Sequence, residues 1–184
     1  EHSAAEHVAV RERVGLFDQS SFAKFVVQGA DAERVLNHVS ANDVAVPVGR
    51  VVYTQWLNDD GGIEADLTVT RLADDRFLVV SAAATQVRDL GWLTGHIPRG
   101  ARCSVEDVTS AYAVVSVMGP LARELLQPLT LAGLDNDEFS FGTSREIDLG
   151  FAFVRASRMT YVGELGWELW IPSDVALHVY DMIV

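Results

Sequence analysis

The chain has 184 residues, 49% hydrophobic and 22% charged, which is the balance of a folded globular protein and argues against disorder. Its 26 acidic against 14 basic residues give a formal net charge of −12, which disfavours a nucleic-acid partner, since phosphates are held chiefly by Lys and Arg. No apolar run approaches the roughly 20 residues that cross a bilayer, and "EHSAAEHVAVRERVG" has no signal-peptide pattern, so no membrane association is expected and the cytoplasm, or the mitochondrial matrix in a eukaryote, is the expected location.

In chain order, Ser3 to Gly15 predicts an amphipathic helix with Ser3 as N-cap and Gly15 closing it. "FAKFVVQG" then predicts a strand, and in "ADAERVLNHVSAND" the apolar Ala32, Val35, Leu36 and Val39 fall at helical spacing. Pro47 and Gly49 break the pattern. From Val51 the segments "VVYTQWLN", "IEADLTVTRL" and "RFLVVSA", separated by turns at "DDGG" and "ADD", predict a three-stranded meander. Thr85 to Ile97 predicts another helix, followed by strands at "CSVEDV" and "YAVVSVMG" and by a helix at "GPLARELLQPL" with its proline inside the first turn. Strands "SREIDL" and "FAFVRASRM" and a helix "DVALHVYDMIV" complete the order. Local runs of strands with interspersed helices predict an α+β fold with largely antiparallel sheets. The apolar ending "HVYDMIV" suggests a piece of a longer protein.

A single cysteine, Cys103, excludes an intrachain disulfide and a thiolate zinc cluster, and a buried inert thiol is expected there. The histidines at 2, 7, 38, 96 and 178 are scattered, so no metal site is expected, with His38 and His178 on helix surfaces. Asp59 and Asp60 belong to a hairpin turn. In the strand that follows, alternation places Ile63, Ala65 and Leu67 on one face and Glu64, Asp66 and Thr68 on the other. That second face is either an ordinary wet sheet surface or a polar cavity whose carboxylates bind a cationic or N–H-rich ligand. In "YVGELGWEL", Gly163 and Gly166 flank Glu164, marking a tight turn or a close approach. A plain hairpin accounts for this, as does a carboxylate offering two acceptors to an amidine-like edge beside the rings of Tyr161 and Trp167.

Three blocks in order, "VGLFDQSSFAKFVVQGADAERVLNHVSANDV", "GRVVYTQWLNDDGGIEADLTVTRLADDRFLVV" and "SRMTYVGELGWELWIP", resemble the folate-binding module of the glycine-cleavage T-protein (aminomethyltransferase) family. The wording is most similar to the folate-binding half of sarcosine and dimethylglycine dehydrogenases and oxidases. The resemblance implies the aminomethyltransferase folate-binding fold over 1–184, with 51–145 as an inserted subdomain and the family's C-terminal barrel lacking. It implies tetrahydrofolate as cofactor and a small N-methyl amine, oxidised to an iminium by FAD in a separate domain, as the source of a one-carbon unit. The flavin domain and the barrel of a parent protein are then the expected partners. By position, Glu164 and Tyr161 are implied to hold the pterin and Tyr53 to line the folate pocket. The family's "GGIxDDL" appears here as "GGIEADL", so Ala65 stands where the first aspartate is expected; Asp66 is the catalytic candidate and Glu64 the second choice. The missing aspartate leaves open a non-catalytic, folate-sensing or regulatory subunit, and the aminomethyltransferase of glycine cleavage is a further alternative. Arg88, Arg99 and Arg102 are the candidates for a basic patch that meets a polyglutamate tail.

Overall fold

The computed structural model describes residues 2–184. In chain order the elements are α1 (His2–Glu12), β1 (Gly15–Asp18), β2 (Ala23–Gln28), α2 (Ala32–Val39), β3 (Val51–Leu57), β4 (Ile63–Ala73), β5 (Arg76–Ser81), α3 (Gln86–Gly95) and β6 (Ser104–Asp107). There follow β7 (Tyr112–Met118), α4 (Ala122–Leu126), β8 (Thr143–Leu149), β9 (Ala152–Arg158), β10 (Gly166–Pro172) and α5 (Ala176–Ile183). The α+β expectation holds: two five-stranded sheets, ordered β1-β7-β10-β9-β8 and β3-β4-β5-β2-β6, have antiparallel pairings throughout.

The chain divides into two compact units, one made of residues 1–20 and 110–184, the other of residues 21–109. The inserted unit thus begins and ends earlier than 51–145, because β2 joins the meander by pairing with β5, whereas β8 pairs with β9 and β9 with β10 in the other sheet.

In the inserted unit, α2 turns Ala32, Val35, Leu36 and Val39 inward, the four positions its spacing predicts. They pack with Phe25, Trp56, Leu67, Phe77 and Leu93 into one core. The other unit has its own core, in which Val117, Trp167, Leu169 and Ile171 meet Leu126 of α4 and Val179 of α5. α1 contributes no buried residue. Its helix already runs at Ser3, which is therefore not a cap, and Gly15 opens β1 instead of closing the helix. An added Cβ on Gly15 would lie 2.6 Å from Val10 Cγ2, so the glycine permits a close helix-to-strand passage. Pro120 precedes the N-cap of α4, Leu121, and lies outside the first turn.

Ile63 departs from the expected alternation, being 68% exposed although Ala65 and Leu67 are buried. A β-bulge between Trp56 and Leu57 explains it: Trp56 opposes Ala65 but Leu57 opposes Ile63, so one residue is skipped and the face flips. Cys103 is half-buried, and its thiol is pushed up chiefly by burial, which keeps it protonated and inert.

Lys24 has no solvent exposure. Its Nζ donates to the carbonyls of Phe22 (2.9 Å) and Thr109 (3.0 Å), which lie beside the two ends of the inserted unit. Lys24→Met leaves both carbonyls without this donor inside the protein. The expected loss is about 1–3 kcal/mol, read as a lower urea midpoint at unchanged slope.

Candidate functional site

Candidate side chains sit on the outward face of β3 and β4 in one unit and around β10 in the other. In the first, the register sets Gln55 opposite Asp66 and Tyr53 opposite Thr68. Alternation turns Thr54, Trp56, Ala65 and Leu67 into the core and leaves Tyr53, Gln55 and Asp66 together on the far side. Tyr53 Oη donates to Asp66 Oδ2 at 2.9 Å, and Gln55 Nε2 donates to Oδ1 at 3.0 Å. This hydrogen bond to Asp66 is the main reason the Tyr53 hydroxyl is held above its ordinary pKa. The phenol is therefore a proton donor throughout the physiological range. Asn42 Nδ2 bonds the Tyr53 carbonyl at 2.7 Å, fixing the strand behind the ring, which is 60% exposed.

The structure thus brings Asp66 and Tyr53 into contact and separates Glu64 from them. Glu64 accepts a hydrogen bond from Asn58 Nδ2 at 2.9 Å, which ties it to the hairpin turn. Arg88 is engaged by the Glu64 carbonyl and by Asp89, while Asp31 receives the Arg102 backbone N–H.

In the second unit, β10 pairs with β7 on one side and β9 on the other, so "GWELW" is a central strand and not an edge. Gly166 is required there, since a Cβ would lie 2.2 Å from Met118 Sδ and 2.6 Å from the Val117 carbonyl. Gly163, at φ +80°, makes the turn that precedes it, with its N–H bonded to Thr160 Oγ1 at 3.0 Å. Tyr161 is 56% exposed on this turn. Glu164 forms an ion pair with Arg11 of α1, Nη1 to Oε1 2.7 Å. Trp167 cannot offer the stacking face expected of it. It is fully buried, edge-on to Phe139 at 6.2 Å and flanked by Arg123 and Arg158.

The residue that the sequence reading passed over is Glu168. It is 3% exposed, and burial is what acts on its carboxyl, with no hydrogen-bond or ion-pair partner among the described residues. Its cross-strand neighbours are Ser116 and Ser157, but Ser116 gives its hydroxyl to Gln19 and Ser157 bonds Ser144 at 2.9 Å. Two residues along the same face, Trp170 Nε1 is buried without a partner among the described residues, as are the indole N–H groups of Trp56, Trp92 and Trp167. Desolvation pushes the Glu168 carboxyl up to about 7. A carboxylate and an indole N–H on one face of β10, neither hydrogen-bonded among the described residues, can accept from and donate to a polar ligand of matching edge. The signal in the sequence was alternation: in "GWELWIP" the glutamate shares a face with Gly166, opposite to the core positions Trp167, Leu169 and Ile171.

Two antiparallel sheets thus carry carboxylates on strand faces, with a glycine-bearing turn before β10. The chain belongs to the GCVT N-terminal domain family, which matches residues 1–184. It is 41% identical over 180 residues to the 4-methylaminobutanoate oxidase (formaldehyde-forming) of Paenarthrobacter nicotinovorans, covering 98% of this chain and 22% of that protein. Identity is 36% to the mitochondrial pyruvate dehydrogenase phosphatase regulatory subunit of Mus musculus, over 95% of this chain and 20% of that one. Dimethylglycine dehydrogenase of Mus musculus is 33% identical over 98% of this chain and 21% of its own length. The chain therefore spans about a fifth of each of these relatives. Among solved structures, the glycine cleavage aminomethyltransferase T of Bartonella henselae superposes with a TM-score of 0.83 at 29% identity, over 97% of this chain and 47% of that one. The expected fold and family are thereby found.

The raised Glu168 pKa has a defined consequence for stability. A carboxyl whose folded pKa lies above its unfolded value holds its proton more tightly when folded, so its contribution is full below about pH 4.5 and is lost as pH rises to about 7. Glu168→Gln removes this dependence. Between pH 5 and 7.5 the variant should gain on the wild type by on the order of 3 kcal/mol, measured as paired urea midpoints.

Proposed function

We propose that this chain is a tetrahydrofolate-binding module that takes up the one-carbon unit released when a flavin domain oxidises an N-methyl amine such as sarcosine or dimethylglycine, giving 5,10-methylenetetrahydrofolate. The observation that carries the reading is the buried, unpartnered carboxyl of Glu168. Burying such a group unsatisfied costs several kcal/mol unless something completes it, and the amidine-like N–H edge of a pterin does so with two parallel donors. The amine class is supported by the oxidase and dehydrogenase relatives, whose names specify N-methylated amines.

Tetrahydrofolate supplies the nucleophilic nitrogen to which the one-carbon unit is transferred. Glu168 orients the pterin through its N–H edge, in preference to Glu164, whose charge is already met by Arg11. Tyr161 offers an exposed ring from the adjoining turn. Asp66 is the catalytic residue of this reading. Its carboxylate stabilises positive charge on the amine or folate nitrogen and takes up a proton there, while Tyr53 and Gln55 hold its orientation.

Titration of 5-formyltetrahydrofolate into the full-length protein tests the ligand. Glu168→Gln should weaken binding by roughly one to two decades, the loss expected for a charge-assisted hydrogen bond. N–H donors favour the ionised form, so binding lowers the Glu168 pKa from about 7, releases protons near neutrality and tightens as pH rises from 6 to 8. Affinity that falls over this range, or ignores Glu168, rules the reading out.

A second reading, a non-catalytic folate-sensing subunit, is favoured by the 36% identity to a regulatory subunit and by Ala65 at the position of the family's first aspartate. Asp66→Asn separates the two. An enzyme should keep folate affinity within about threefold yet lose most methylenetetrahydrofolate yield, by at least about tenfold. A sensor has no yield to lose.

A further inference from the structure

The turn after β9 is held to α1 by three contacts that close on one another. The carbonyl of Arg13, at the end of α1, accepts the N–H of Leu121 at 3.0 Å, and a Cβ on Gly119 would lie only 2.4 Å from that same carbonyl. Two residues before Leu121, the N–H of Gly119 donates to the Leu165 carbonyl at 2.8 Å, at the end of the turn. Arg11 then reaches Glu164 directly at 2.7 Å. Helix end, 119–121 turn and the 160–165 turn form a closed triangle. The peptide it pins carries Tyr161, with the Thr160 to Gly163 hydrogen bond inside it. α1 buries no side chain, so apolar packing does not explain why a guanidinium is placed here.

We propose that Arg11 is a positioning residue for the ligand site: by engaging Glu164 it holds the 160–165 turn in the conformation that presents Tyr161. This rests on the folate reading above. Glu168 is outside its reach, because seven pairings with β7 already fix β10. Arg11 therefore acts on the ring of Tyr161 and not on the buried carboxylate. The pair is partly solvated, with side-chain exposures of 47% and 22%, so its effect is graded.

The test is a set of 5-formyltetrahydrofolate titrations in the full-length protein, with thermal midpoints measured alongside. Arg11→Ala should weaken binding about three- to fivefold, the range that a partly exposed ion pair can supply. Arg11→Glu should be worse, and combining it with Glu164→Arg should restore affinity to within about twofold, a rescue that general loss of stability does not produce. In a Tyr161→Ala background, Arg11→Ala should have no further effect, whereas Glu168→Gln still should. Wild-type affinity in Arg11→Ala, failure of the reversed pair to rescue, or an undiminished Arg11 effect without Tyr161 each overturns the proposal while leaving the folate reading standing. A wild type that does not bind, or that binds without regard to Glu168, overturns both.

Discussion

The position of β10 in the middle of its sheet is the constraint on which the candidate site depends. Partners on both sides satisfy the backbone of β10 within the sheet and leave its side chains on the two faces, and on the second face Glu168 is desolvated because that face is buried. Glu168 occupies that position, and both serines beside it have committed their hydroxyls elsewhere. The rest of the arrangement supports the placement. Gly166 lets β10 approach β7, and Trp167, Leu169 and Ile171 anchor the opposite face in the core. The strand is held by its apolar side and the carboxylate is carried in with it. The proposed pterin contact accounts for a polar group retained at such cost.

The Asp66 group follows a different principle. It lies on an exposed face, and its order comes from cross-strand hydrogen bonds to Tyr53 and Gln55. The register that makes those contacts is set by the hairpin, and the β-bulge at Trp56 diverts Glu64 toward Asn58 and leaves Asp66 with the tyrosine. Position 65 faces the core in this register, so Asp66 is the carboxylate that meets the tyrosine.

The family relationship and the local chemistry carry different weight. Membership rests on the whole chain and identifies the scaffold. The relatives include oxidases and dehydrogenases of N-methylated amines and also a regulatory subunit, so one scaffold serves more than one end. In the proposed function the choice falls to individual side chains, above all to Asp66 and Glu168.

The sequence by itself determined most elements, the inward face of α2, the meander β3 to β5, and the glycine-bearing turn before β10, because these follow from period, turn chemistry and steric demand over a few residues. It also pointed to Tyr53, Asp66, Tyr161 and Glu164 as candidates. Only the tertiary structure decided that β10 is central, that Trp167 is core, that Glu164 pairs with Arg11 across 153 positions of chain, and that Glu168 is buried and unpaired among the described residues. It also revealed β1, four residues that become a strand only by pairing with β7. The physical reason is common to all of these. Strand order, desolvation and ion pairing are set by segments distant in the chain, and none leaves a local pattern that periodicity can register.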